Sequence, residues 1–287
     1  MPVLKQMIKM ILCLCLAAEI QADVLETQDK QRIIALSPHS VELIFLLGAG
    51  DRIIATTSFA DFPEAAKLIP VIGGYNGIQI EKVLSLKPDL IVAWESGNKA
   101  DDLVQLERLG FKVYRSQTRN LAGIADEILN LGQLLDLEDR ARSEAEAFNR
   151  RLAELKASNA VKRPVAFFYQ LWSEPLRTIA GKSWINEMLV GCGGVNIFDE
   201  TVGDYPQASM ETVLERKPEV IIIPSHHGHG LGEGDFWKKW PEIPAVKNQH
   251  MYYVDGDILH RFSVRALQGM QTICEHFDQV RMTNINE

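Results

Sequence analysis

Cysteine is scarce in this chain of 287 residues, and two of its four cysteines, Cys13 and Cys15, lie in the first fifteen positions. Only Cys192 and Cys274 remain downstream, and neither belongs to a Cys-x-x-Cys pair. Thiol redox catalysis and a cysteine-built zinc site are therefore unsupported. Basic charge is also in deficit: 30 Lys and Arg face 38 Asp and Glu, for a net charge of -8. Without a basic stripe the chain has no means of neutralising a phosphate backbone, which argues against nucleic acid as a partner. Long apolar runs are missing too. The best, at 10–18, is far short of the roughly 20 residues that cross a bilayer as a helix. Catalytic signatures are equally absent: there is no Gly-x-Ser-x-Gly elbow and no His-Glu-x-x-His helix. Ala180-Gly181-Lys182-Ser183 imitates the end of a phosphate-binding loop, but Leu176 occupies the place of its first glycine. The glycine-rich stretches at 191–194 and 228–234 lack the strand and helix that frame a dinucleotide site. No carboxylate pair is singled out by spacing, so an enzyme finds no support.

What is present is an ordinary globular composition, 46% hydrophobic and 24% charged, with length enough for one large domain or two lobes. Lys5 and Lys9 precede the apolar run, and Ala22 offers a small residue for cleavage, which reads as a secretory signal over 1–22. Leu precedes both Cys13 and Cys15, which disfavours a lipid-anchored form. The expected product is an exported, soluble protein. In an oxidising compartment Cys192 and Cys274 are candidates for a disulfide, with two separate buried thiols as the alternative. Closing the 82 residues between them would contribute at most about 4.5 kcal/mol in the chain-entropy picture.

From residue 32 onward, strand and helix patterns alternate. Strands are expected at 32–36, 53–56, 90–94 and 112–114, with helices at 40–47, 80–85 and 103–109. A helical pattern then runs without proline from Leu121 to about Ala157, its second part densely charged. Beyond Pro164 the alternation resumes, with strands at 165–169, 219–223 and 251–254 and helices at 183–190 and 264–280. Such alternation predicts parallel sheets covered by helices. The strongest internal signal is a repeat. Residues 80–92, beginning Ile80-Glu81-Lys82-Val83-Leu84, align without gaps on residues 210–222, beginning Met210-Glu211-Thr212-Val213-Leu214. Each copy is a short helix, a Lys-Pro break that cannot continue it, and an apolar strand. The expected architecture is α/β, with two similar lobes, each a mainly parallel sheet flanked by helices, joined by one long helix. The boundaries are 23–136 for the N-terminal lobe, 137–161 for the end of the linking helix, and 162–287 for the C-terminal lobe.

Two sets of residues are candidates for chemistry. His226, His227 and His229 sit in a glycine-rich loop where imidazoles could meet a transition metal. No carboxylate or cysteine stands beside them at ligand spacing, so a solvated loop is the simpler reading and no metal is assigned. The aromatic set is the stronger lead. Phe59, Phe62, Tyr75, Trp94, Trp172 and Tyr205 fall at strand ends or in loops beside Gly, Pro or Asp. Ligands of open α/β sheets bind beyond the carboxyl ends of strands, and flat aromatic faces there suit a large planar molecule.

An ordered set of motifs then carries a resemblance: Leu36-Ser37-Pro38 with Glu42; Ser58-Phe59-Ala60-Asp61-Phe62-Pro63; Glu81 with Leu86-Lys87-Pro88-Asp89; Ala93-Trp94 with Gly97-Asn98; Cys192-Gly193-Gly194; Asn196-Ile197-Phe198; Tyr205-Pro206-Gln207; and Cys274. Over about 32–280 the chain resembles the helical-backbone class of periplasmic substrate-binding proteins of ABC importers, and among them those that take up corrinoids. The resemblance implies a binding protein without cofactor whose transported ligand is cobalamin or a related corrinoid. It implies ligand contacts from Phe59, Tyr75, Trp94 and Tyr205, with Asp257 and Arg261 at the rim of the C-terminal lobe. It also implies a Cys192–Cys274 disulfide, a monomer in the periplasm, and docking of Glu81 and Glu211 on arginines of a permease dimer in the inner membrane. The corrinoid binders carry Trp where this chain has Tyr75 and Tyr205, and Tyr where it has Phe59. That leaves haem, a ferric siderophore or a metal as the alternative cargo.

Overall fold

A computed structural model describes residues 30–225 and 234–283. His226, His227 and His229, like the segment 1–22 expected to be a signal, lie outside the described residues. The N-terminal lobe begins with β1 (Ile33–Ala35), α1 (Pro38–Leu46) and β2 (Ile53–Thr56). A tight hairpin of β3 (Gly73–Gly74) and β4 (Gly77–Ile78) follows, then α2 (Ile80–Leu86), β5 (Leu90–Trp94), α3 (Ala100–Arg108) and β6 (Val113–Ser116). Its four main strands are parallel, in the order β2-β1-β5-β6. The C-terminal lobe contains β7 (Val165–Tyr169), the hairpin β8 (Trp172–Ser173) and β9 (Leu176–Arg177), α6 (Trp184–Gly191), β10 (Gly194–Asn196), α7 (Met210–Arg216), β11 (Val220–Ser225) and β12 (Met251–Asp255). Its sheet is again parallel, ordered β10-β7-β11-β12. Both sheets thus follow one plan: the second strand, the first, the third and the fourth.

The repeat extends to backbone angles. α2 and α7 each end at a lysine in the left-handed conformation, Lys87 at φ 47° and Lys217 at φ 48°. Each lysine turns the chain into Pro88 or Pro218, neither of which has an N–H to prolong the helix, and then into a strand buried at every residue but its last.

One expectation needs correction. The helical pattern from Leu121 to about Ala157 is not continuous: it divides into α4 (Leu121–Leu134) and α5 (Glu138–Asn159). Asp136 adopts φ 57° between them, a conformation that Asp tolerates better than most residues. Glu138 and Asp139 then supply the acidic first turn that favours a helix start. The two helices fold back on each other. Gly132 packs so closely on Ala141 that a Cβ there would lie 2.2 Å from the alanine methyl. The carboxylate of Glu187, on α6, accepts from the Leu121 N–H at 3.0 Å and from Lys156 Nζ at 2.8 Å, so the start of α4 and the end of α5 meet at one side chain of the opposite lobe. The linking segment is α5.

One apolar cluster runs from Ile33 and Val92 through Ile124, Ile128, Phe148 and Leu152 to Phe167, Met188 and Phe277. The lobes therefore share packing with the helical hairpin between them. Cys192, just after α6, is joined by a disulfide to Cys274 on the closing helix (Ala266–Thr283), with Cα atoms 4.8 Å apart. Among the described residues no helix is long and apolar enough to cross a membrane.

Candidate functional site

The carboxyl ends of the two sheets face a cavity of about 780 Å³ between the lobes. Trp94, Ser96, Thr118 and Arg119 line it from the N-terminal lobe; Leu171, Lys182, Trp184, Ile185, Asp204, Tyr205, His260 and Phe262 line it from the other. The volume lies within the range of about 300–1,000 Å³ usual for ligand sites.

Trp94 is the last residue of β5, and its place is set by neighbours in the chain. Asn98 Oδ1 accepts from the Trp94 N–H at 2.7 Å, while Asn98 Nδ2 donates to the Leu36 carbonyl at 2.8 Å. One amide thus ties the ends of β1 and β5 together. The indole lies over Gly97, where a Cβ would come within 1.9 Å of the ring, so only glycine fits. On the other wall Trp184 opens α6, capped by Ser183, whose hydroxyl accepts from the Ile185 N–H. The Trp184 ring stacks on Phe262 with centroids 4.3 Å apart. Tyr205 completes this aromatic wall. Tyr169, beneath it, hydrogen-bonds His260 Nε2 through its hydroxyl at 2.8 Å. Burial pushes both phenols upward in pKa; at Tyr205 a hydrogen bond with Ser183 opposes the rise and the Asp204 carboxylate adds to it, so both are neutral hydrogen-bonding groups at pH 7.

Below the cavity the lobes are joined by charge. Arg261, in the loop between the short helix Gly256–Leu259 and the closing helix, has 7% of its side chain exposed, and Glu42, on α1, has 3%. Arg261 Nη1 donates to Glu42 Oε1 at 2.9 Å and to Asp61 Oδ1 at 2.7 Å, and its other nitrogen lies 3.4 Å from Asp257. Ser263 Oγ donates to Glu42 Oε2 at 2.5 Å, and Arg265 Nη1 to Glu42 Oε1 at 3.1 Å. Arg265 also lies over the Phe62 ring, 4.1 Å from its centroid. His39, fully buried, sits edge-on to Trp94 at 5.2 Å and to Phe262 at 6.0 Å. Burial first, and the Arg261 charge second, lower its pKa to about 3, so it is neutral.

Trp94 and Tyr205, both expected from the sequence, are therefore brought into one cavity. Phe59 and Tyr75 are not among its lining residues; they lie on adjacent loops, tied by the Ser58 N–H to the Gly73 carbonyl at 2.9 Å, and are 60% and 84% exposed. Asp257 and Arg261 lie in the ion-pair cluster between the lobes instead of on the cavity wall. The sequence does not single out Trp184, Phe262 or His260 as site residues. Trp184 reads as the first residue of a helix and Phe262 as core, and no local pattern reveals that they stack. Glu81 and Glu211 occupy the same position in the first turn of α2 and α7, one per lobe, and both are exposed. Among the described residues no group of three or more His, Cys, Asp or Glu could hold a metal ion.

Two parallel sheets of one topology, a helical link and an interlobe cleft define a two-lobed binding protein. A family model described as periplasmic binding protein matches residues 33–258, and the chain belongs to that family. A vitamin B12-binding protein of Vibrio vulnificus (strain CMCP6) is 39% identical over 251 residues, covering 87% of this chain and 91% of that protein. The vitamin B12-binding protein of Yersinia pestis (strain Pestoides F) is 32% identical over 256 residues, 89% of either chain. Among solved structures, the periplasmic vitamin B12 binding protein of Vibrio cholerae superposes with a TM-score of 0.79 at 36% identity, covering 87% of this chain and 97% of that one. A periplasmic heme-binding protein from Roseiflexus sp. RS-1 gives a TM-score of 0.79 at 21% identity over 88% of this chain and 99% of that one, a likeness of fold alone. The sequence-similar relatives are binding proteins by name, not enzymes.

Proposed function

We propose that the exported protein, its signal removed after Ala22, is a periplasmic monomer that captures cobalamin or a related corrinoid between its lobes and passes it to an ABC importer. The observation that carries this reading is the aromatic-walled cavity at the sheet ends, in a chain 39% identical to a vitamin B12-binding protein. Trp94, Tyr205, Trp184 and Phe262 offer apolar faces to the ring system, and Phe59 and Tyr75, on exposed neighbouring loops, are available to fold over its outer part. Aromatic pairs contribute about 0.5–1.5 kcal/mol beyond the area they bury. The shared core and buried ion pairs between the lobes favour modest movement over wide hinge opening.

Delivery is assigned to Glu81 and Glu211. One exposed carboxylate per lobe, at equivalent positions of repeated helices, matches the symmetry of a two-fold permease carrying arginines. Import of labelled cobalamin into vesicles holding the cognate transporter tests both halves of the proposal. The Glu81→Ala/Glu211→Ala double variant should abolish import while binding cobalamin in solution within about twofold of wild type, since rim charges act on encounter and register. An equal loss of affinity in solution would refute this division of labour.

A further inference from the structure

The chain carries a net charge of -8, yet its cavity is lined by two cations and one carboxylate, a balance of +1 from Arg119 and Lys182 against Asp204. Arg119 comes from the N-terminal lobe and Lys182 from the C-terminal lobe. Both are exposed, and neither has a carboxylate partner among the described residues. Nearly every other arginine around the cleft is committed: Arg115 to Glu95 and Glu107, and Arg261 and Arg265 to Glu42. The two free cations also share a local setting. Arg119 immediately precedes Asn120, the cap of α4, and Lys182 immediately precedes Ser183, the cap of α6. Each thus stands at the positive end of a helix dipole, worth about half a charge. A cavity walled only by aromatic rings would need none of this charge to hold an uncharged face.

From these positions we infer that Arg119 and Lys182 form an anion subsite, one arm from each lobe, that receives the phosphodiester of a corrinoid's nucleotide loop while the aromatic wall holds the ring. The inference rests on the corrinoid reading above. The phosphodiester is ionised throughout the physiological pH range, and a guanidinium grips its paired oxygens through parallel N–H donors while an ammonium adds a compact charge. Complete corrinoids carry this group; cobinamide, which lacks the nucleotide, does not. The subsite therefore makes the protein select the complete ligand over the truncated one.

Titration of the mature protein and its Arg119→Gln/Lys182→Gln double variant with cobalamin and with cobinamide tests this. Wild type should prefer cobalamin, and the double variant should lose affinity for cobalamin by about tenfold or more, as expected for charge-assisted hydrogen bonds. Its affinity for cobinamide should stay within about twofold of wild type, which also shows that the variant is folded. Equal losses for both ligands, or an unchanged affinity for cobalamin, would overturn the subsite while leaving capture of corrinoids intact. Wild-type protein that ignores both corrinoids, or binds haem through the same two residues instead, would overturn the corrinoid reading itself.

Discussion

His39 shows how a single residue couples the site to stability. It is wholly buried beside Arg261, with Ser37 Oγ 3.2 Å from its Nε2 and the Trp94 and Phe262 rings on either side. Its pKa falls from 6.5 to about 3 on folding, so the unfolded chain takes up a proton that the folded one refuses. The contribution to stability is complete above pH 6.5 and is lost progressively as pH falls toward 3, at up to about 1.4 kcal/mol per pH unit. Urea unfolding between pH 6.5 and 5, above the range of most carboxylates, should show wild type weakening more steeply than a His39→Asn variant. Parallel slopes would mean that His39 is protonated in the fold. Trp94 and Arg261 stand out in the sequence but His39 does not, because a histidine in the first turn of a helix carries no mark of what will cover it.

At the scale of elements, the loop carrying Arg261, Ser263 and Arg265 is fastened to α1 and to the segment around Asp61. Removing one partner from a buried ion pair leaves uncompensated charge and costs about 3–5 kcal/mol. Arg261→Met should therefore lower the urea stability of the ligand-free protein by about 3 kcal/mol. Unchanged ligand-free stability would make Arg261 a ligand contact only, the role the family resemblance implies. The repeat was legible because Glu, Val, Leu, Lys and Pro recur in order around helix, break and strand, and the structure extends it to the left-handed lysines. The division of the helical run at Asp136 was not, since neither glycine nor proline marks it. The Glu42–Arg261 pair is separated by 219 residues, beyond any local pattern. Trp94 was legible as a strand-end aromatic beside Gly97 and Asn98, whereas Trp184 was hidden by the helix it begins.

The whole molecule is two copies of one α/β plan, held by the α4–α5 hairpin and a shared core, with a cleft where their strand ends meet. Capture is assigned to that cleft, and delivery to the carboxylates repeated on α2 and α7. The most direct measurement is isothermal titration of the mature, oxidised protein with cobalamin, repeated with haem as competitor. Saturable one-to-one binding of cobalamin is expected, which haem does not displace and which weakens by about tenfold when Trp94 is changed to Ala. No heat with cobalamin, together with one-to-one binding of haem, would contradict it.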